Sequence, residues 1–235
     1  FLENIIVVGK AVEGTLNFAE LISGFSAECE TAPTSPDDAA FWLYSSGTTG
    51  FPKGTVHLHH DMSYCCEYYA KGILKINEND RTYSVARLFF AYGLGNGLYF
   101  AFYVGGSIIL DPGRPQPEHV YSIITKYKPT LFFGVPTSYN AMLQVKDAEK
   151  KYDLSSVRLG ISAGEALPGT VWKQWKERWG IEILDGIGST EILHIYISNR
   201  IGESKPDCTG KIVPGYEAKI VDPDGNALPP GEPGI

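Results

Sequence analysis

Tyr44-Ser45-Ser46-Gly47-Thr48-Thr49-Gly50-Phe51-Pro52-Lys53-Gly54 sets two serines, two threonines, three glycines and one lysine directly behind the apolar lead Ala39-Ala40-Phe41-Trp42-Leu43. Hydroxyl donors, glycines that let backbone N–H groups come close, and one cation make a cradle for an anion, most often phosphate. A Walker A loop is excluded, because Pro52 precedes Lys53 and Gly54 follows it where that motif needs Gly-Lys-Ser/Thr. The apolar lead predicts a strand over Phe41 to Tyr44, and Thr55 to Leu58 its return.

Outward from this loop the chain alternates short apolar runs with amphipathic stretches. Asn4 to Val8 reads as a buried strand, Thr15 as the cap of a helix through Phe18, Leu21 and Ile22, and Glu28 to Asp38 as a linker. His57, His59, His60 and Asp61 lack a partner at a recognised metal-ligand spacing, so they read as a strand end with Asp61 capping the next helix. That helix spans Met62 to Lys71 and closes on Gly72 at C′. Strands follow at Arg81 to Ala86, Gly105 to Asp111 and Thr130 to Pro136. Helices follow at Glu118 to Tyr127, Ser138 to Val145 and Gly169 to Trp179. Such alternation predicts an α/β fold of mixed, partly parallel sheets flanked by helices. Glu217 to Val221 reads as a short strand before the hairpin turn Asp222-Pro223-Asp224-Gly225-Asn226.

Leu88 to Leu110 carries no charge, but six Gly and Asn residues interrupt it, which argues for loop, helix and strand rather than a membrane span. Gly93-Leu94-Gly95-Asn96-Gly97 fails the dinucleotide pattern because position 98 is Leu. The aromatics of this window fit either a core or a flat apolar slot for a planar substrate, with the Tyr92 hydroxyl at its edge.

Gly160-Ile161-Ser162-Ala163-Gly164 fits the nucleophile-elbow pattern, and Asp185 and His194 follow in hydrolase order. An elbow needs its helix immediately after the Ser, whereas Glu165 and Pro168 intervene here. Ile181 to Glu191 is a strand running into a polar turn, Gly188-Ser189-Thr190-Glu191. Its carboxylate suits a hard cation such as Mg²⁺, which takes one or two carboxylates together with phosphate oxygens.

The 235 residues can bury a sizeable core. A net charge of −7 argues against nucleic-acid or anionic-membrane surfaces. Cys29, Cys65, Cys66 and Cys208 show no CxxC spacing and read as reduced thiols of a cytoplasmic protein.

Three blocks, Ser45 to Gly54, Ser162-Ala163-Gly164-Glu165 and Gly188-Ser189-Thr190-Glu191, resemble the acyl-adenylate-forming (AMP-binding) superfamily in its order. Leu88 to Asn96 and Asp185 to His194 are most similar to its benzoate-type aryl-CoA ligases. The resemblance implies ATP, Mg²⁺ and CoA, and a reaction through acyl-AMP to an acyl-CoA. The loop of Ser45, Ser46, Gly47, Thr48, Thr49, Gly50 and Lys53 would hold the β- and γ-phosphates. Thr190 would meet the α-phosphate and Glu191 the Mg²⁺, so that Lys53, Thr190 and Glu191 act in catalysis. Gly164, Glu165 and Ala166 would line an adenine face, Asp185 would accept from the adenine amino group, and Gly186, Ile187, Gly188 and Ser189 would complete the nucleotide site. Ile187 stands where the family often has an aromatic, so stacking there becomes apolar packing. Ala91, Tyr92, Ala163, Gly188, His194 and Ile195 match positions lining the acyl pocket. Partners would be an aromatic carboxylic acid, ATP and CoA, without nucleic acid or a membrane span, and with a homodimer as the assembly to test for.

The resemblance also implies that residues 1–214 belong to the AMP-binding core of the N-terminal domain and that 215–235 open a small β subdomain. The family's ribose-binding Asp and catalytic Lys lie on segments outside these residues, so the 235-residue piece by itself is expected to lack ligase activity. The same residues leave two alternatives open: an adenylate-former with a non-CoA acceptor, and a GxSxG serine hydrolase.

Overall fold

The computed structural model describes residues 3–46 and 50–235, the Ser46 side chain excepted. The chain forms two compact units, residues 1–35 and 36–235.

In the first unit β1 (Ile6–Val7) pairs in parallel with β2 (Leu16–Asn17), which leads into α1 (Phe18–Ser23). Two expectations fail here. Ile5, Ile6 and Val8 are exposed, because a two-residue strand has no sheet to bury it. Asn17, whose Oδ1 accepts from Glu20 N, caps the helix in place of Thr15, whose hydroxyl instead bonds Val12.

The second unit begins with a hairpin. β3 (Ala39–Ser46) pairs antiparallel with β4 (Pro52–Leu58), setting Ser45 opposite Lys53 and Phe41 opposite His57. α2 (His59–Cys65) runs on into a π-helical turn, Cys66–Lys71. It starts at His59 rather than after Asp61, because Asp61 Oδ2 reaches back from inside the first turn to accept Leu58 N at 3.0 Å. Gly72 keeps a right-handed φ of −64°, so it is not a C′ glycine; the close approach of the Tyr68 carbonyl explains the absent side chain.

The main sheet has seven strands. β5 (Arg81–Ser84), β6 (Ser107–Ile109), β7 (Leu131–Gly134), β8 (Leu159–Ser162) and β9 (Ile183–Gly188) are parallel, in the order β9-β8-β7-β5-β6. β10 (Ile195–Ser198) and β11 (Lys211–Ile212) extend the β9 edge antiparallel. Between β5 and β6 runs one continuous helix, α3 (Ala91–Leu94), a π-helical segment Gly95–Tyr99 and α4 (Phe100–Tyr103). Then come α5 (Pro117–Tyr127), α6 (Pro136–Leu143), α7 (Ala148–Lys151) and α8 (Gly169–Trp179).

Period-two alternation splits the sheet residues between two cores. Leu131, Phe133, Leu159, Ile161 and Leu184 pack with Tyr69, Leu74, Phe100 and Ala101 on one face. Phe132, Tyr83 and Ile183 pack with Tyr121, Ile124, Tyr139 and Trp175 of α5, α6 and α8 on the other. The result is a three-layer α/β/α arrangement. Asp80 and Arg158 lock its lower edge: Arg158 Nη2 lies 2.8 Å from Asp80 Oδ2, and Thr130 donates to Asp80 Oδ1 at 2.6 Å. Burial raises the Asp80 pKa, but these two donors outweigh it and hold the carboxyl below its ordinary value.

Among the described residues no helix is long and apolar enough to cross a membrane. Glu217 to Val221 does not form the expected strand; a single bridge joins Val221 to Ala227 around the turn at Asp222, where Asn226 N meets Asp222 Oδ1 at 2.8 Å.

Candidate active site

Open parallel sheets bind ligands beyond the carboxyl ends of their strands, and the cleft here lies there. Ala86 follows β5, Val135 follows β7, Ala163 and Gly164 follow β8, and Gly188-Ser189-Thr190 leave β9. With Phe90, Ala91, Tyr92, His194 and Ile195 these residues enclose about 280 Å³. All six residues expected to line the acyl pocket meet in this one cavity. Sequence reasoning passed over Ala86, Phe90 and Val135; strand-end position is the signal that could have found Ala86 and Val135.

The walls are small where the strands end and aromatic where the α3 helix passes. At Gly188 an added Cβ would meet the His194 carbonyl oxygen at 2.8 Å, so the backbone itself forms that wall. The Tyr92 hydroxyl is not offered to the cleft as expected. It donates to Gly134 O at 3.0 Å, with Ile161 O at 3.3 Å, because two strand-end carbonyls lie within its reach. The Tyr92 hydroxyl proton is thus already engaged by backbone carbonyls.

His194 is 2% exposed and packs among Tyr69, Tyr92 and Phe100, with ring centroids 4.5–5.6 Å away. Burial pushes its pKa down to about 3, so it is neutral at pH 7. Its Nε2 lies 3.0 Å from the Oδ1 of buried Asn96. The sequence did not single out Asn96 as a partner of His194.

The polar end of the site lies at the turn after β9. Thr190 O accepts from Leu193 N at 3.1 Å, and Leu193 takes a left-handed φ of 69° to close the turn. Ser189 Oγ accepts from Ile192 N at 3.3 Å. Ser45 Oγ lies 3.4 Å from Glu191 Oε1, which brings the base of the hairpin loop beside this turn. Lys53 is exposed on β4 opposite Ser45, and Gly50 is exposed at the start of the return. Gly47, Thr48 and Thr49 lie outside the described residues, as does the Ser46 side chain.

The remaining nucleotide candidates are placed unevenly. Gly164, Glu165 and Ala166 are exposed in the turn after β8, and Ile187 is half exposed on β9. Gly186 is buried. Asp185 is also buried, its Oδ2 accepting Leu167 N at 3.3 Å, and burial raises its pKa. It faces the turn that carries Ala166 and Leu167 rather than the cleft lining.

The hydrolase geometry is absent. Ser162 is fully buried, α8 begins only at Gly169, and His194 bonds Asn96 rather than a serine. Among the described residues no group of three His, Cys, Asp or Glu could hold a metal. A single carboxylate at Glu191, exposed beside the Ser45 hydroxyl, nevertheless fits Mg²⁺ held by one protein ligand and phosphate oxygens.

A parallel-rich α/β sheet with a cleft at its strand ends, beside a hairpin that carries Ser45 and Lys53, is the frame of an α/β enzyme domain. The chain belongs to the AMP-binding enzyme family, whose pattern matches residues 3–235. It is 50% identical over 224 residues to a benzoate–CoA ligase of Thauera aromatica, covering 95% of this chain and 42% of that protein. A 4-hydroxybenzoate–CoA/benzoate–CoA ligase of Rhodopseudomonas palustris is 38% identical over 233 residues, covering 99% and 43%. The solved anthranilate CoA ligase AuaEII, in complex with anthranoyl-AMP, superposes with a TM-score of 0.94 at 45% identity, covering 98% of this chain and 45% of that one. A benzoate CoA ligase from Burkholderia xenovorans LB400 gives 0.87 at 44% identity, covering 97% and 45%. The chain therefore spans less than half the length of the relatives it matches.

Proposed function

We propose that this chain is the acid- and nucleotide-binding part of an ATP-dependent aryl-acid CoA ligase that acts on benzoate-like acids. The observation that carries the reading is the cavity lined by the small or apolar Ala91, Ala163 and Gly188 and by Tyr92, together with the hydroxyl residues Ser189 and Thr190. Relatives named for benzoate and anthranilate support the aryl class.

In this reading a carboxylate oxygen attacks the α-phosphorus of ATP, the bond to pyrophosphate breaks, and acyl-AMP forms. The CoA thiol then attacks the acyl carbon, AMP leaves, and the thiol proton passes to solvent. The cleft walls orient the ring and exclude water. Thr190 donates to the α-phosphate where negative charge builds, and one such donor contributes about 3–4 kcal/mol in a dry site. Lys53 and the hydroxyls of its loop hold the departing pyrophosphate. Glu191 would hold Mg²⁺, which supplies charge neutralisation between the two anions when bound.

Residues 1–214 serve as the AMP-binding core. Residues 215–235 open a β-rich extension, a reading supported by the paired bonds Val221 N to Ile235 O (2.9 Å) and Ile235 N to Val221 O (2.8 Å). The four free cysteines suit a reducing cytoplasm. A homodimer belongs to the same reading, and sedimentation of the full-length enzyme checks it.

The deciding experiment measures benzoate-dependent pyrophosphate release by the full-length enzyme. Loss with Glu191→Ala and with Lys53→Ala is expected, and release that survives both substitutions overturns the reading. Replacing CoA by other thiols in the second step tests the acceptor.

A further inference from the structure

His57 ties the hairpin to the turn that carries Thr190 and Glu191. It is 1% exposed on β4, and both ring nitrogens face oxygen acceptors on other elements. Nε2 lies 2.9 Å from Thr190 O, a contact spanning 133 residues of sequence. Nδ1 lies 3.1 Å from Asp61 Oδ2 on α2, and the Phe41 ring of β3 stacks on the imidazole at 5.1 Å. Since a backbone carbonyl can only accept, Nε2 carries a proton and donates it to Thr190 O. Asp61 and Phe41 fix the ring from the other side.

Thr190 O already accepts the Leu193 amide at 3.1 Å. His57 therefore fills its second lone pair and completes the bonding of the turn. Strand alternation adds the reason for this placement. Lys53 and His57 stand four residues apart on β4 and so share a face, and their cross-strand partners Ser45 and Phe41 share it as well. One face of the hairpin thus carries a lysine, a hydroxyl directed at Glu191 and an imidazole directed at Thr190.

We propose that His57 is a positioning residue that sets the Thr190–Glu191 turn in register with Ser45 and Lys53 of the hairpin, so that Thr190 and Lys53 act on one triphosphate. The inference rests on the nucleotide reading of Thr190 and Glu191. A catalytic group misplaced by about 1 Å can cost about 10²-fold in rate, and loss of a supporting hydrogen bond behind a ligand costs about 10–100-fold in comparable sites.

The test uses the full-length enzyme and the rate of acyl-adenylate formation with benzoate, read as ATP–pyrophosphate exchange. His57→Leu is expected to lower kcat by about 10–100-fold while KM for benzoate stays within about 3-fold, since the acid pocket is not touched. His57→Gln, whose amide can still donate to Thr190 O, is expected to recover kcat to within about 5-fold of the parent, a rescue that a purely packing role would not give. A folded His57→Leu enzyme with parental kcat, or equal loss in the Leu and Gln variants, overturns the inference. Where thermal melting shows that His57→Leu does not fold, His57→Asn, too short to reach Thr190, must fall well below His57→Gln, and equality of those two overturns it. A parent enzyme without benzoate-dependent exchange overturns the function reading and this inference together. An active parent with an unaffected His57→Leu overturns this inference alone.

Discussion

Ser45 Oγ and Glu191 Oε1 lie 3.4 Å apart although 146 residues separate them in sequence. The contact brings the hairpin to the carboxylate beyond β9, so these two polar stretches lie side by side. Glu191→Ala should lower the rate of acyl-adenylate formation by about 10²–10³-fold, as loss of a charge-stabilising group does. Ser45→Ala should cost less, about 3–10-fold, since the exposed hydroxyl contributes one hydrogen bond of about 1 kcal/mol. Steady-state pyrophosphate release measures both.

The cavity walls predict a size limit. Ala163 is buried at the end of β8 against the acid space. Ala163→Leu should raise KM for benzoate about 5–150-fold, because overpacking a fixed wall costs about 1–3 kcal/mol, and should abolish turnover of ring-substituted acids first. A panel of benzoates with growing substituents reads this directly.

Gly95 stands against His194, where an added Cβ would meet Cδ2 at 2.6 Å and Nε2 at 2.9 Å. Gly95→Ala should displace the imidazole, break its bond to Asn96 and destabilise the fold by about 1–3 kcal/mol. Urea unfolding of the parent and the variant gives the difference.

Burial of His194 makes stability depend on pH. Its folded pKa is depressed to about 3 from 6.5, so below 6.5 the unfolded chain binds a proton that the folded chain does not. The neutral-histidine contribution is fully present above pH 6.5 and is lost as pH falls toward 3, at up to about 1.4 kcal/mol per pH unit. Replacing His194 with Asn should flatten that slope, which denaturation series between pH 7 and 4 would show.

Asp80 is nearly buried and bound by Arg158 and Thr130. Asp80→Ala leaves the half-exposed Arg158 without its counter-charge and should cost about 2–3 kcal/mol, below the 3–5 typical of a fully buried pair. Arg158→Leu alone should destabilise similarly, and the double variant less than the sum, because the two residues act as one unit.

Sequence by itself determined the alternation of strands and helices, including α8, where Pro168 and the αL glycine Gly180 bracket Gly169–Trp179. It also picked out six residues, Ala91, Tyr92, Ala163, Gly188, His194 and Ile195, that the fold gathers around one cavity. Tertiary structure decided the rest. Gly93 and Gly95 speak against a helix by local propensity, yet they sit in one, because the Arg87 carbonyl and the His194 ring approach the helix too closely for a side chain. Tyr92 looked like a pocket donor, but two strand-end carbonyls claim its hydroxyl. His57 looked like a strand end; Asp61, four residues on, meets one ring nitrogen, and only the tertiary fold brings Thr190 O to the other. Apart from the Arg87–Gly93 approach and the His57–Asp61 contact, these are contacts between residues tens to more than a hundred positions apart, which spacing and composition along the chain do not encode. Ser45 and Lys53 face each other within one local hairpin, and packing alone brings Ser45 beside Glu191.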